Sequence, residues 1–225
     1  MNSEMLEKTG PNFSVPALMA ARRKTQEAVR LIGEQIKPGM SEEEAHHLAR
    51  ETLTRLGSTT GWHKILIRFG PNTIKDFPES SDTTVRLRDN DIFFIDIGPI
   101  WDGTEGDGGN TFVIGQAADP DMRRCADAAK QVFNLVRQQW LSSGMTGKEL
   151  YDFAQQTTAG LGWVLNMGLT GHRLGDFPHK AYYDGTLARV LIHPAPNLWI
   201  LEIQIRHPTK PFGAFFEDLL LTSHD

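Results

Sequence analysis

The chain has 225 residues, 40% hydrophobic and 23% charged, with a formal net charge of −5. That balance fits a soluble globular protein with one sizeable core and argues against a nucleic-acid or membrane surface as its main partner. No apolar run approaches the roughly 20 residues that span a bilayer, the opening MNSEMLEKTG is too polar for a secretory signal, and the single cysteine, Cys125, excludes an internal disulfide framework. The expected compartment is the cytoplasm.

Residues 1–15 read as a flexible tail, and residues 16–225 as a single domain. From Pro16 to Ile36, Leu18, Ala21, Ala28, Leu31, Ile32 and Ile36 recur at helical spacing until Pro38-Gly39 stops them. Ser41 and Glu44 form a capping box for a second helix, which buries Leu48, Leu53 and Leu56 and ends at Gly57. His46 and His47 on that helix are expected at its surface or edge. Trp62 to Asn72 reads as a strand ending in a turn, and residues 73–90 as a polar surface loop.

The most informative stretch is Ile92 to Gly115, IFFIDIGPIWDGTEGDGGNTFVIG. Two apolar runs flank a Gly-rich turn, which predicts a buried hairpin. Asp96 and Asp107, eleven residues apart, put a carboxylate on each arm. Buried carboxylates are costly unless paired, protonated or bound to a cation. Taken alone, the pair is compatible with a satisfied core acid and a turn residue, or with a metal ion between them.

Asp119-Pro120 opens a third helix through Ala126, Ala129, Val132, Phe133, Val136 and Trp140, with Cys125 a packed thiol on it. Ser142-Ser143-Gly144 breaks it, and MTGKELYDFAQQTTAGLG follows. Shifting the chain by 105 residues superimposes Gly39 on Gly144, Met40 on Met145, Ser41 on Thr146, Glu44 on Glu149, Leu56 on Leu161 and Gly57 on Gly162. Two helices followed by strands, used twice, predict a pseudo-twofold domain whose second half supplies its own pair of acid-bearing strands. Asn197 to Ile205 is an apolar strand interrupted by Glu202, and Gly213 to Thr222 another interrupted by Glu217, with Asp218 expected to point out of the sheet. Between the second pair of helices and these strands, GLTGHRLGDFPHKAYYDG carries His172 and His179.

Taken in order, these residues resemble the superfamily of methionine aminopeptidase, aminopeptidase P, prolidase and creatinase, over roughly residues 16–223. Asp96 and Asp107 resemble its paired-Asp motif, His172 its Gly-His-x-x-Gly ligand, His179 its second histidine seven residues on, and Glu202 and Glu217 its last two ligands. The resemblance implies an α+β pita-bread fold with related halves at about 16–115 and 120–223 around a curved sheet. It implies two divalent ions (Mn, Co, Fe or Zn) held by Asp96, Asp107, His172, Glu202 and Glu217. It also implies hydrolysis of a C–N bond by water held between the ions, with Glu202 moving the proton and His179 contacting the scissile carbonyl. The implied partner is a peptide N-terminus, as for a methionine or Xaa-Pro aminopeptidase.

Two departures bear on the substrate. Ile203 follows Glu202 where the family usually has Pro, and Phe77-Pro78-Glu79 occupies the region where relatives carry a substrate-binding histidine. His63, much earlier, and Arg173, beside His172, are the candidate substrate-binding residues. The missing upstream histidine, and a cation at Arg173 that suits a small carboxylated substrate, favour the first alternative, hydrolysis of a non-peptide amide or amidine. The second is a binding module that keeps the fold without the chemistry. Ala181-Tyr182-Tyr183 is a candidate homodimer contact.

Overall fold

The computed structural model describes residues 3–175, 177–180 and 182–222. A short helix α1 (Ser3–Leu6) precedes two longer ones, α2 (Val15–Gln35) and α3 (Glu42–Leu56). Then come β1 (Leu66–Phe69), β2 (Asp91–Ile97), the small hairpin β3 (Ile100–Trp101) and β4 (Thr104–Glu105), and β5 (Gly108–Ile114). The second run is α4 (Pro120–Ser143), α5 (Gly147–Gly160), β6 (Val164–Leu165), β7 (His172–Arg173), β8 (Trp199–Arg206) and β9 (Gly213–Leu219). Among the described residues no helix is long and apolar enough to cross a membrane.

The two runs mirror each other. Capping boxes open α3 at Ser41/Glu44 and α5 at Thr146/Glu149, each supplying the backbone partners that a helix start lacks. The antiparallel sheet has the order β1-β2-β5-β9-β8-β6, with β7 also on β8. The first half's strands thus lie on one side of the β5–β9 seam and the second half's on the other.

Alternation along the strands decides what each face does. Phe93, Ile95 and Ile97 of β2 pack under Ala21, Ala28, Val29 and Ile32 of α2 and Ala45 and Ala49 of α3. Leu201, Ile203 and Ile205 of β8 pack under Val132, Phe133 and Val136 of α4 and Leu150 and Ala154 of α5. The intervening residues, Asp96, Glu202 and Gln204 among them, are therefore pushed to the opposite, concave face, although they are equally buried.

Three expectations change. Residues 1–15 are not a loose tail where they are described: Leu6 is buried, and the Glu7 carboxylate accepts the Ala195 N–H at 2.7 Å and the Trp199 indole at 2.8 Å. The strand expected from Trp62 begins only at Leu66, because residues 62–65 cross over the concave face instead. Asp218 does not point into solvent; both its oxygens take 2.6 Å hydrogen bonds from Arg22, and Gln26 adds one at 3.1 Å, tying α2 to β9. Ala181 lies outside the described residues, and Tyr183 of the same expected dimer contact packs edge-on to Trp199 within the chain.

Candidate metal centre

The sheet register lines up the acids. Across the strands, Leu66 pairs with Asp96, Asp96 with Gly109, Gly109 with Glu217, and Glu217 with Glu202. Three carboxylates of the implied ligand set thus fall on one cross-strand row at the seam between the halves. Gly109 stands in the middle of that row, where an added Cβ would collide with Phe215 and come within 2.9 Å of Glu217 Oε1. Its missing side chain makes the space that the acids share. Asp107, just before β5, reaches the same space, and His172 enters from β7, which pairs with β8 at Ile200.

Asp107 sits at the centre. Its Oδ2 lies 3.0 Å from His172 Nε2, and its Oδ1 lies 3.4 Å from His63 Nε2. His63 Nε2 is also 3.5 Å from Asp96 Oδ1. Two groups result with the spacing of metal donors: His63, Asp96 and Asp107, and Asp107, His172 and Glu217. Glu202 Oε2 accepts the Gly171 N–H at 2.6 Å, and its backbone is clamped by Tyr151, whose hydroxyl donates to the Glu202 carbonyl at 2.9 Å and accepts its N–H at 3.2 Å.

The electrostatics ask for a cation. Burial, with Asp107, Asp96 and Glu202 close by, holds the Glu217 carboxyl well above the usual carboxylate range. Burial likewise raises Glu202 and lifts Asp96 to about 7, against the pull of His63. Burial opposes charging the two histidines. Asp96 and Asp107 nevertheless raise His63 to about 9, and Asp107 with Glu202 raises His172 to about 9. Asp107 itself stays low despite its burial, because both imidazoles face it. Buried Glu217 Oε1 accepts no hydrogen bond, and buried Asp107 Oδ2 is met by the His172 imidazole. Such oxygens, clustered with two imidazoles, are the donor set that divalent ions of the Mn, Fe, Co and Zn series accept, so the residues fit a metal centre.

Above the acids lies a cavity of about 270 Å³ whose walls include Trp62, Phe77, Leu169, His179 and Thr186. Trp62 stacks on His179 with ring centroids 3.8 Å apart and meets His172 edge-on at 4.9 Å. At the rim, Lys180 pairs with Asp184 at 2.7 Å.

Of the site residues expected from the sequence, the structure brings Asp96, Asp107, His172, Glu202, Glu217, His179 and His63 to this cavity or its floor. Arg173 is the exception. It follows His172 along β7, so its side chain takes the other face of the sheet. There its guanidinium donates to the Leu6 carbonyl at 2.7 Å and lies 5.8 Å over the Trp199 ring. The alternation of a strand is the signal that could have placed it. Glu105 is a residue of the site that sequence reasoning does not find. It is 1% exposed, and its Oε2 accepts from Gly175 N at 3.0 Å and contacts His179 Nδ1 at 3.2 Å. A lone acid in a Gly-rich turn carries no sequence signal of that role.

Comparison with known proteins bears on this geometry. The family model described as metallopeptidase family M24 matches residues 17–224. A methionine aminopeptidase of Helicobacter pylori (strain ATCC 700392 / 26695) is 26% identical over 170 residues, covering 74% of this chain and 66% of the relative. The prolidase from Pyrococcus horikoshii OT3 superimposes with a TM-score of 0.74 at 19% identity, over 96% of this chain and 60% of that one. The X-Pro aminopeptidase from Thermotoga maritima MSB8 does so with a TM-score of 0.73 at 18% identity, over 98% of this chain and 64% of that one. The chain thus spans just under two thirds of the length of these proteins, and the fold is the pita-bread fold they share.

Proposed function

Because the chain belongs to metallopeptidase family M24, we propose that it is a metal-dependent aminopeptidase, a hydrolase of the C–N bond that follows an N-terminal residue. The observation that carries the reading is the row Asp96, Gly109, Glu217, Glu202 across the seam, with Asp107 and His172 completing one shared donor space. Asp96, Asp107, His172, Glu202 and Glu217 would hold two divalent ions, whose chemistry when bound is to acidify a water and polarise a carbonyl.

The chain's own groups divide the remaining work. Glu202 has one oxygen committed to the Gly171 N–H. Its other oxygen is the proposed proton carrier, taking a proton from the attacking water and returning it to the leaving amine. Burial raises this carboxyl above its ordinary range, which favours its taking up a proton. His179 is held by Glu105 through Nδ1, and with a hydrogen on both ring nitrogens it would donate from Nε2 to the scissile carbonyl oxygen. Trp62, Phe77 and Leu169 form an apolar wall for the side chain of the N-terminal residue.

The small-amide alternative rests on the missing upstream histidine and on a cation at Arg173, and of these two supports the cation lies on the other face of the sheet. Nor does the site look like a binding module stripped of ligands, since every carboxylate of the set converges. Metal analysis joined to a panel of short peptides with Met, Ala or Pro near the N-terminus tests the proposal. Metal-dependent release of the first residue is expected. Full metal loading with no turnover of any peptide would sink the aminopeptidase reading.

A further inference from the structure

We infer that His63 is a metal ligand, the nitrogen donor of the group it forms with Asp96 and Asp107, beside the group of Asp107, His172 and Glu217. This rests on the metal-centre reading above and adds a second nitrogen donor to it.

Asp107 divides the cluster into two like halves. Its Oδ1 faces His63 and its Oδ2 faces His172, with Asp96 in the first donor group and Glu217 in the second. The two histidines are held in the same way. His63 Nδ1 lies 2.7 Å from the carbonyl of the next residue, Lys64, and His172 Nδ1 lies 2.8 Å from that of the next residue, Arg173. A carbonyl oxygen only accepts, so in both rings Nδ1 carries the hydrogen. The lone pair of each neutral ring is then on Nε2, the atom aimed at the carboxylates. This is the outer-shell arrangement that orients metal-binding histidines.

The spacing fits an ion as well. His63 Nε2 is 3.4 Å from Asp107 Oδ1 and 3.5 Å from Asp96 Oδ1. Donors on a tetrahedral ion with bonds of roughly 2.1 Å stand about 3.4 Å apart.

The loop that delivers His63 is anchored beside both aspartates. The Trp62 N–H donates to the Gly98 carbonyl at 3.0 Å, two residues after Asp96. The Trp62 indole donates to the Gly106 carbonyl at 2.8 Å, one residue before Asp107. Gly98 has no side chain where a Cβ would collide with the His63 ring. A histidine that merely brushed a passing substrate would not require this double tether beside the two aspartates.

Proton NMR of the cobalt(II)-loaded protein tests the assignment. Each ligating ring should give one exchangeable, hyperfine-shifted Nδ1–H signal, so the wild-type protein is expected to show two. His63→Ala is expected to keep one of them and to bind cobalt on the order of 100-fold more weakly at one of its two sites, since outer-shell partners alone are worth about 10–100-fold. A single shifted signal in the wild-type protein overturns the inference without recourse to any variant. So does a His63→Ala protein with both signals and undiminished affinity, and in both cases the metal-centre reading survives. A wild-type protein that takes up no cobalt overturns both.

Discussion

Glu105 Oε2 and His179 Nδ1 meet at 3.2 Å beneath the Trp62 ring, in a pocket where Glu105 is 1% exposed. The same oxygen accepts the Gly175 N–H at 3.0 Å, so the carboxylate fixes both the ring and the loop that carries it. His179→Ala should lower kcat by about 100-fold, within the range of a lost hydrogen-bonding catalyst. Glu105→Gln should lower kcat by roughly tenfold with KM little changed, because the ring loses its orientation rather than its presence. Both variants should retain wild-type metal content by elemental analysis. Metal loss in either would make His179 a ligand.

Asp107 offers Oδ1 to one donor group and Oδ2 to the other, so its loss should disturb both. Asp107→Asn keeps the volume and removes the charge. The expected outcome is loss of metal and of activity with the circular dichroism spectrum preserved. Unchanged metal content in that variant would sink the assignment of the centre.

Stability of the metal-free protein should fall as pH rises. His63 and His172 are both raised from 6.5 to about 9, because nearby carboxylates outweigh burial. A group that binds its proton more tightly when folded stabilises the fold below its unfolded value and stops doing so as pH rises through the folded one. Asp96, raised from 3.8 to about 7 by burial, acts in the same direction at lower pH. In chelator, the melting temperature should therefore decline between about pH 6.5 and about pH 9. Added divalent ion should suppress the decline, since it replaces the imidazole protons. A flat profile in chelator would contradict the charge arrangement described.

The Arg22–Asp218 pair is bidentate and buried, and it bolts α2 to the strand that carries Glu217. Breaking a buried pair from one side costs about 3–5 kcal/mol. Asp218→Ala should show that loss in urea unfolding. A change below about 1 kcal/mol would mean that water reaches Arg22 and screens it as at a surface.

Much of this architecture is legible from local chemistry. The caps at Ser41/Glu44 and Thr146/Glu149 are short-range hydrogen-bond patterns, and the 105-residue repeat follows from them. The isolated acids Asp96, Glu202 and Glu217 are conspicuous because an apolar strand tolerates a charge only for a reason. Residues 62–65 read as strand because their composition resembles one. What holds them is a set of contacts to Gly98 and Gly106, more than 30 residues away in the chain.

By itself, then, the sequence determined the long helices and most of the strands, which are set by neighbours a few residues apart, while the candidate ligands and their order came with the family resemblance. The tertiary structure alone decided which groups share a space. Strand register placed Glu217 opposite Gly109, and alternation along β7 sent His172 to the acids and Arg173 away from them. A loop crossing over the sheet brought His63 to Asp96 and Asp107, and packing buried Glu105 against His179. Each of these relations joins residues distant in the chain through hydrogen bonding and packing that local pattern does not encode, and they are the relations on which the chemistry depends.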